Sequence, residues 1–229
     1  MTGTTGTGTD LEVLAKDRVR FLVGAGLSFS AGVVNGAATV GIVQERTMHM
    51  SGRLNDLVRD LAFNRPEGLL VGTLIASFVT GAIFAGFLVP RRGVPRVLMW
   101  SAGLLVAGAV VTALAAGAVF STQLAVAASL ALAGGLQNGA TSQVVLGRTT
   151  HITGDLTDFA LAVSVGDRPR IAFLFTKLAA FASGGMAGFL GVRYGHQSLV
   201  LLGCGLAVAS ISLYLTLAGS GAATAGAAH

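Results

Sequence analysis

The chain has 229 residues, 53% hydrophobic and 11% charged, with mean hydropathy +0.75. A soluble domain carries about 25% charged residues, so this composition excludes an ordinary soluble domain and marks an integral membrane protein. The net charge of +5 is scattered between apolar runs with no aromatic interleaving, which excludes a nucleic-acid partner, and a single cysteine, Cys204, excludes an internal disulfide.

Residues 1–20 open with the low-complexity run MTGTTGTGTD and read as a disordered, cytoplasmic segment. The first apolar run starts near Phe21, after Lys16, Arg18 and Arg20; it has no convincing cleavage site and carries polar motif residues, so it reads as a retained span and not a signal peptide. Six runs approach the roughly 17–25 residues needed to cross a bilayer: 21–43, 68–89, 97–119, 122–147, 170–191 and 198–218. The tail 219–229, GSGAATAGAAH, reads as disordered.

One motif occurs twice. Gly32-Val33-Val34-Asn35-Gly36-Ala37 is followed by Arg46-Thr47-Met48-His49-Met50-Ser51-Gly52, Asp56 and Arg65-Pro66. Gly135-Leu136-Gln137-Asn138-Gly139-Ala140 is followed by Arg148-Thr149-Thr150-His151-Ile152-Thr153-Gly154, Asp158 and Arg168-Pro169. Ala85-Gly86-Phe87-Leu88 and Ala187-Gly188-Phe189-Leu190 extend the match. The duplication therefore divides the chain into a first repeat, 21–119, and a second, 120–218. Three spans per repeat is an odd number, so the expected architecture is all-α, with six transmembrane helices as two inverted three-helix repeats and broken or re-entrant motif helices.

Orientation follows from basic residues in the connections. The amino-terminal side holds nine: Lys16, Arg18, Arg20, Arg91, Arg92, Arg96, Arg148, Arg168 and Arg170. The other side holds five: Arg46, Arg53, Arg59, Arg65 and Arg193. Both termini are expected in the cytoplasm.

The repeated polar residues mark the candidate site. Gly32-x-x-x-Gly36 and Gly135-x-x-x-Gly139 permit close helix crossing, and their equivalent placement suggests that spans 1 and 4 cross each other. Asn35 and Asn138 lie in apolar runs, where an amide needs a partner: another helix or a ligand. Gln137 adds polarity to the second copy alone. Ser51 and Thr153 have the chemistry of helix N-caps, and the amphipathic spacing after them predicts a short helix in each motif. A helix start with Arg46 or Arg148, Thr47 or Thr150 close by suits an anion or carboxylate. His49 and Asp56, like His151 and Asp158, stand seven residues apart; each pair could carry protons, gate, or simply lock the break. Lys177 has no counterpart, the equivalent region being Leu74-Ile75. It either snorkels or faces the interior, where Asp158 is the expected partner. The ligand spacing suggests no metal, and no cofactor motif is present.

The second motif, Gly135 to Asp158, resembles the hallmark of the YoaK-like family of bacterial membrane proteins, and Met48-His49-Met50-Ser51-Gly52 resembles that family's other motif. The resemblance implies six spans, a bacterial inner (cytoplasmic) membrane and a small-molecule transport role. From the residues themselves the leading expectation is a secondary transporter or permease for a small polar or anionic metabolite, working by alternating access in the lipid bilayer. Proton coupling and homodimer formation are options. The alternatives are a membrane-embedded enzyme using the His and Asp residues as acid and base, and a small channel.

Overall fold

The computed structural model describes residues 17–48, 50, 52–63, 65–115 and 119–226. Among these residues the regular structure is helical throughout. Seven helices follow in order: α1 Asp17–Val40, α2 Arg53–Ala62, α3 Glu67–Leu114, α4 Phe120–Thr141, α5 Ile152–Val165, α6 Arg168–Tyr194 and α7 Gln197–Gly226. Residues 1–16, His49, Ser51 and 227–229 lie outside the described residues, and with them the expectations for the extreme amino terminus and for His49 and Ser51. α7 continues to Gly226, past the boundary expected at Gly219.

Four helices are long and apolar enough to cross a membrane by length and composition: Arg18–Val40, Glu67–Leu114, Arg168–Tyr194 and Gln197–Gly219. α4, Phe120–Thr141, carries no charged residue and is not one of these four; Gln123, Gln137 and Asn138 interrupt its apolar run. α3 has 48 residues, about 72 Å at 1.5 Å per residue, more than twice a bilayer's hydrocarbon thickness. It is broken once. Gly93 has φ 78 and ψ 160, a conformation closed to residues with a Cβ, and Pro90 and Pro95 flank it. The connection expected over Pro90–Arg96 is thus compressed to a one-residue break between two helical limbs.

The glycine motifs decide the packing, though not as the sequence suggested. A Cβ on Gly32 would collide with the carbonyl oxygen of Phe181, and one on Gly36 with that of Gly185, so this face of α1 lies on α6. A Cβ on Gly135 would collide with the carbonyl of Phe78, and one on Gly139 with Ala82 and Ala85, so this face of α4 lies on the first limb of α3. The two Gly-x-x-x-Gly faces do not meet each other. Each has found a second small-residue face, Gly184/Gly188 on α6 or Gly81/Ala85 on α3, and two such faces bring backbones closer than one face against large side chains. The contacts come in pairs. Gly32 against Phe181 matches Gly135 against Phe78, and Gly184 against Phe29 matches Gly81 against Leu132; within each match, corresponding residues stand 103 apart in sequence. The second limb of α3 packs on α7, where Gly205 approaches Ala102, its own counterpart at the same offset, and Ser212 donates to the Pro95 carbonyl at 2.6 Å. α2 packs on α3 and α5 on α6.

Candidate functional site

Both motifs run across the end of a helix. α1 ends at Val40 and α4 at Thr141, earlier than the apolar runs to 43 and 147 suggest. The chain then follows an irregular path to α2 or α5. The buried backbone of that path needs hydrogen-bond partners, and the repeated asparagines supply them. Asn35 Oδ1 accepts from the Met48 N–H at 3.3 Å, and Asn138 Oδ1 from the Thr150 N–H at 3.4 Å. The turn is also repeated: Gln44 has φ 57 and Gly147, its counterpart, φ 65. Asn35 and Asn138 therefore tie the break together.

The helix starts differ from the expected caps. Thr153 lies inside α5 and is exposed; the N-cap is His151, whose Nδ1 accepts from the Gly154 N–H at 3.2 Å. α2 starts after Gly52, at φ 83, with no side-chain cap. A ring nitrogen placed at the cap reaches the third helical N–H, the service a hydroxyl or carboxylate usually performs.

In each copy one backbone carbonyl is met by a buried cation, and the cations come from different places. In the first copy Arg53, from α2, donates to the Arg46 carbonyl at 3.3 Å. In the second, Lys177 Nζ, from α6, donates to the Arg148 carbonyl at 2.6 Å. Arg53 also pairs with Glu45 and, at 3.2 Å, with Asp56, while Arg59 pairs with Asp56 at 3.5 Å and Asp60 at 2.9 Å. The carboxyl of Asp60, by hydrogen bond and by charge, holds the exposed Arg59 guanidinium above its ordinary pKa. Lys177 pairs with Asp155 at 2.8 Å. Asp158, the partner expected from sequence, instead pairs with Arg170 at 3.4 Å. Lys177 is 1% exposed and so does not snorkel; an ammonium that deep requires a carboxylate and an acceptor, and Asp155 and Arg148 provide them. Asp155 stands where the first copy has Arg53, and Lys177 where it has Leu74. Two breaks in the repeat thus compensate each other, and reading them together was the available sequence signal for Asp155.

The polar residues then separate. Thr47 is fully buried and its hydroxyl has no hydrogen-bond partner among the described residues. Arg46 is exposed. Thr149, also buried, accepts from Gln137 Nε2 at 3.0 Å, and Gln137 donates to the Leu27 carbonyl at 3.1 Å, tying α4 to α1. Thr150 is buried beside them. His151, Arg148, Asp155, Asp158 and Lys177 instead face a cavity of about 1070 Å³, which no described residue of the first motif lines.

That cavity is the best candidate for a ligand site. Its walls are Phe21, Val145, Leu146, Phe173 and Leu174, with Arg20, Arg148, Arg170 and Lys177 set against Asp155, Asp158 and Asp167. Lys177 and Arg170 are engaged as described. Asp167 caps α6, accepting from the Arg170 N–H at 3.2 Å. Arg20 and Arg148 have no carboxylate partner among the described residues. Arg20 lies over the Phe173 ring at 4.2 Å, with its Nε buried and unbonded among those residues. Two such guanidinium groups over apolar walls offer a place to a small anion with an organic body.

The chain belongs to the family DUF1275. The model of that family, described as "Protein of unknown function (DUF1275)", matches residues 13–213, covering both copies of the motif. No curated protein and no solved structure matches the chain.

Proposed function

We propose that the protein is a secondary carrier for a small organic anion in the bacterial cytoplasmic membrane, with six spans arranged as two inverted three-span repeats and both termini in the cytoplasm. α1, the two limbs of α3, α4, α6 and α7 would be the spans. Contacts repeated at an offset of 103 residues, and the meeting of Ala102 with its own counterpart Gly205, support a two-fold relation between the halves. The Lys and Arg count supports the orientation. The resemblance to YoaK-like proteins agrees with the same arrangement.

The observation that carries the functional reading is the cavity with two arginines, Arg20 and Arg148, that have no carboxylate partner among the described residues. Its contrast with the first copy adds a direction. There Glu45, Asp56 and Asp60 are paired with Arg53 and Arg59, whereas the second copy opens on a volume near the upper end for ligand pockets, about 300–1,000 Å³. The first copy borders a smaller cavity, about 610 Å³ beside Asp60 and Arg65, and a larger opening at one polar end than at the other fits a single state of an alternating-access cycle. The enzyme alternative would employ His151 as acid or base, but its Nδ1 is taken by the helix cap.

Flux in proteoliposomes tests the proposal. Purified protein should exchange radiolabelled pyruvate across the bilayer. Arg148→Gln should slow exchange at least tenfold, the effect of about 1.4 kcal/mol of lost binding, and Arg46→Gln should slow it far less, since Arg46 lines no part of the cavity. Equal loss from both variants, or none from either, refutes the anion site. Downhill conduction without exchange would favour a channel.

A further inference from the structure

We infer that Asp155 and Lys177 form an exchange pair that couples one proton to one carboxylate anion. This rests on the carrier reading above and adds to it the coupling ion and the stoichiometry.

The geometry leaves Lys177 Nζ two acceptors: the Arg148 carbonyl at 2.6 Å and Asp155 Oδ2 at 2.8 Å. The carbonyl belongs to the backbone of the break and stays. Asp155 and Lys177 both line the cavity, and in the proposed exchange an entering anion meets the ammonium in the place of Asp155. Lys177 is 1% exposed and Asp155 7%. Neither charge tolerates that depth unpaired, because removing one partner of a buried pair costs about 3–5 kcal/mol. When the incoming carboxylate takes Lys177, Asp155 is stable only as the acid. A proton from water adds to Asp155 Oδ2, the ion pair opens, and the carboxylate closes a new pair with the same ammonium. On the far side the carboxylate departs, Asp155 releases its proton, and the original pair re-forms. One proton and one monoanion move together, and the site holds the same total charge in both states.

Of the other charged groups facing Asp155, Asp158 is held by Arg170, while Arg20 and Arg148 line the same cavity with no carboxylate partner among the described residues. His151 Nδ1 stays with the Gly154 N–H. The first copy has no such pair, since Arg53 and Leu74 occupy the equivalent places.

The test uses the full chain in liposomes, with pyruvate and gluconate as probes because both are small, fully ionised carboxylates. In wild type, one unit of inward acid gradient should raise pyruvate accumulation about tenfold, the ratio that one pH unit represents. A clamped membrane potential should change nothing. Asp155→Asn should lose the gradient response, to about onefold, yet still exchange internal for external pyruvate; Asp155→Glu should regain the response. A pH dye inside wild-type vesicles should report one proton per pyruvate, a readout that stands even where Asp155→Asn does not fold. If wild type exchanges pyruvate but ignores the acid gradient, or if Asp155→Asn keeps the full response, the coupling is overturned and the carrier reading stands. Exchange of neither probe by wild type at any pH overturns both.

Discussion

Replacing Lys177 by leucine, the residue its counterpart position holds in Leu74, puts a number on the buried pair. The substitution removes the only ion-pair partner that Asp155, with its side chain 10% exposed, has among the described residues, and the donor to the Arg148 carbonyl. A buried carboxylate without a partner either stays charged in a poor medium or takes a proton. Protonation sets the ceiling: for a carboxyl of reference pKa about 3.9, the cost at pH 7 is about 4 kcal/mol, and at pH 5 about 1.5 kcal/mol. The expected loss for Lys177→Leu is therefore about 3–4 kcal/mol at pH 7, or roughly 6–16 °C in melting temperature for a chain of this size. The sign follows from linkage. In the variant the folded state binds a proton that the unfolded chain has lost above its own pKa, so the deficit grows as pH rises from about 4 and shrinks on acidification. The double variant Lys177→Leu with Asp155→Asn carries no buried charge and should recover most of the loss, since apolar replacements of buried pairs are often neutral. The assay is thermal unfolding in detergent at pH 7 and pH 5 for wild type, both single variants and the double. A loss below 1 kcal/mol for Lys177→Leu, unchanged between the two pH values, would refute the argument that the pair is mutually required.

Two further perturbations test the helix crossings and the repeated turn. Gly135→Ala should lower the melting temperature, because about 1–3 kcal/mol of overpacking against the Phe78 carbonyl outweighs about 1 kcal/mol of better helix propensity; Gly86→Ala, with nothing within 4 Å of the new carbon, should raise it. If the two move alike, the backbone approach is not as close as described. Gln44→Gly should stabilise the protein by about 1 kcal/mol by relieving φ 57, and Gly147→Ala should destabilise it by a similar amount at φ 65; unfolding in denaturant reads both, and a loss for Gln44→Gly sinks the claim.

The helical, membrane-type character of the chain was legible in the sequence. Low charge and long apolar runs lead to helices, four of them long and apolar enough to cross a membrane, because bilayer thickness and the cost of a bare backbone in hydrocarbon leave few alternatives. The motif breaks were legible too, since Asn35 and Asn138 recur in apolar runs at one offset. The caps were not: Thr153 has the right chemistry, but the helix starts one residue before it, and His151 takes the post. The glycine faces were read as a meeting of α1 with α4, yet Gly184 and Gly81 offered equally small partners elsewhere in the chain. A spacing rule says that a face can approach closely, not which face it approaches.

The sequence by itself determined an oily helical chain with a duplicated polar break, because composition and periodicity are local properties. Tertiary structure alone decided which charges meet. Lys177 and Asp155 are on different helices, 22 residues apart, and Arg20 reaches the same cavity from the far end of the chain. Their pairing depends on how α5 and α6 turn against each other and against α1. Burial makes that choice binding: once Lys177 is closed off from water, only a carboxylate within direct reach can hold it, and the fold brings Asp155 there and leaves Asp158 to Arg170.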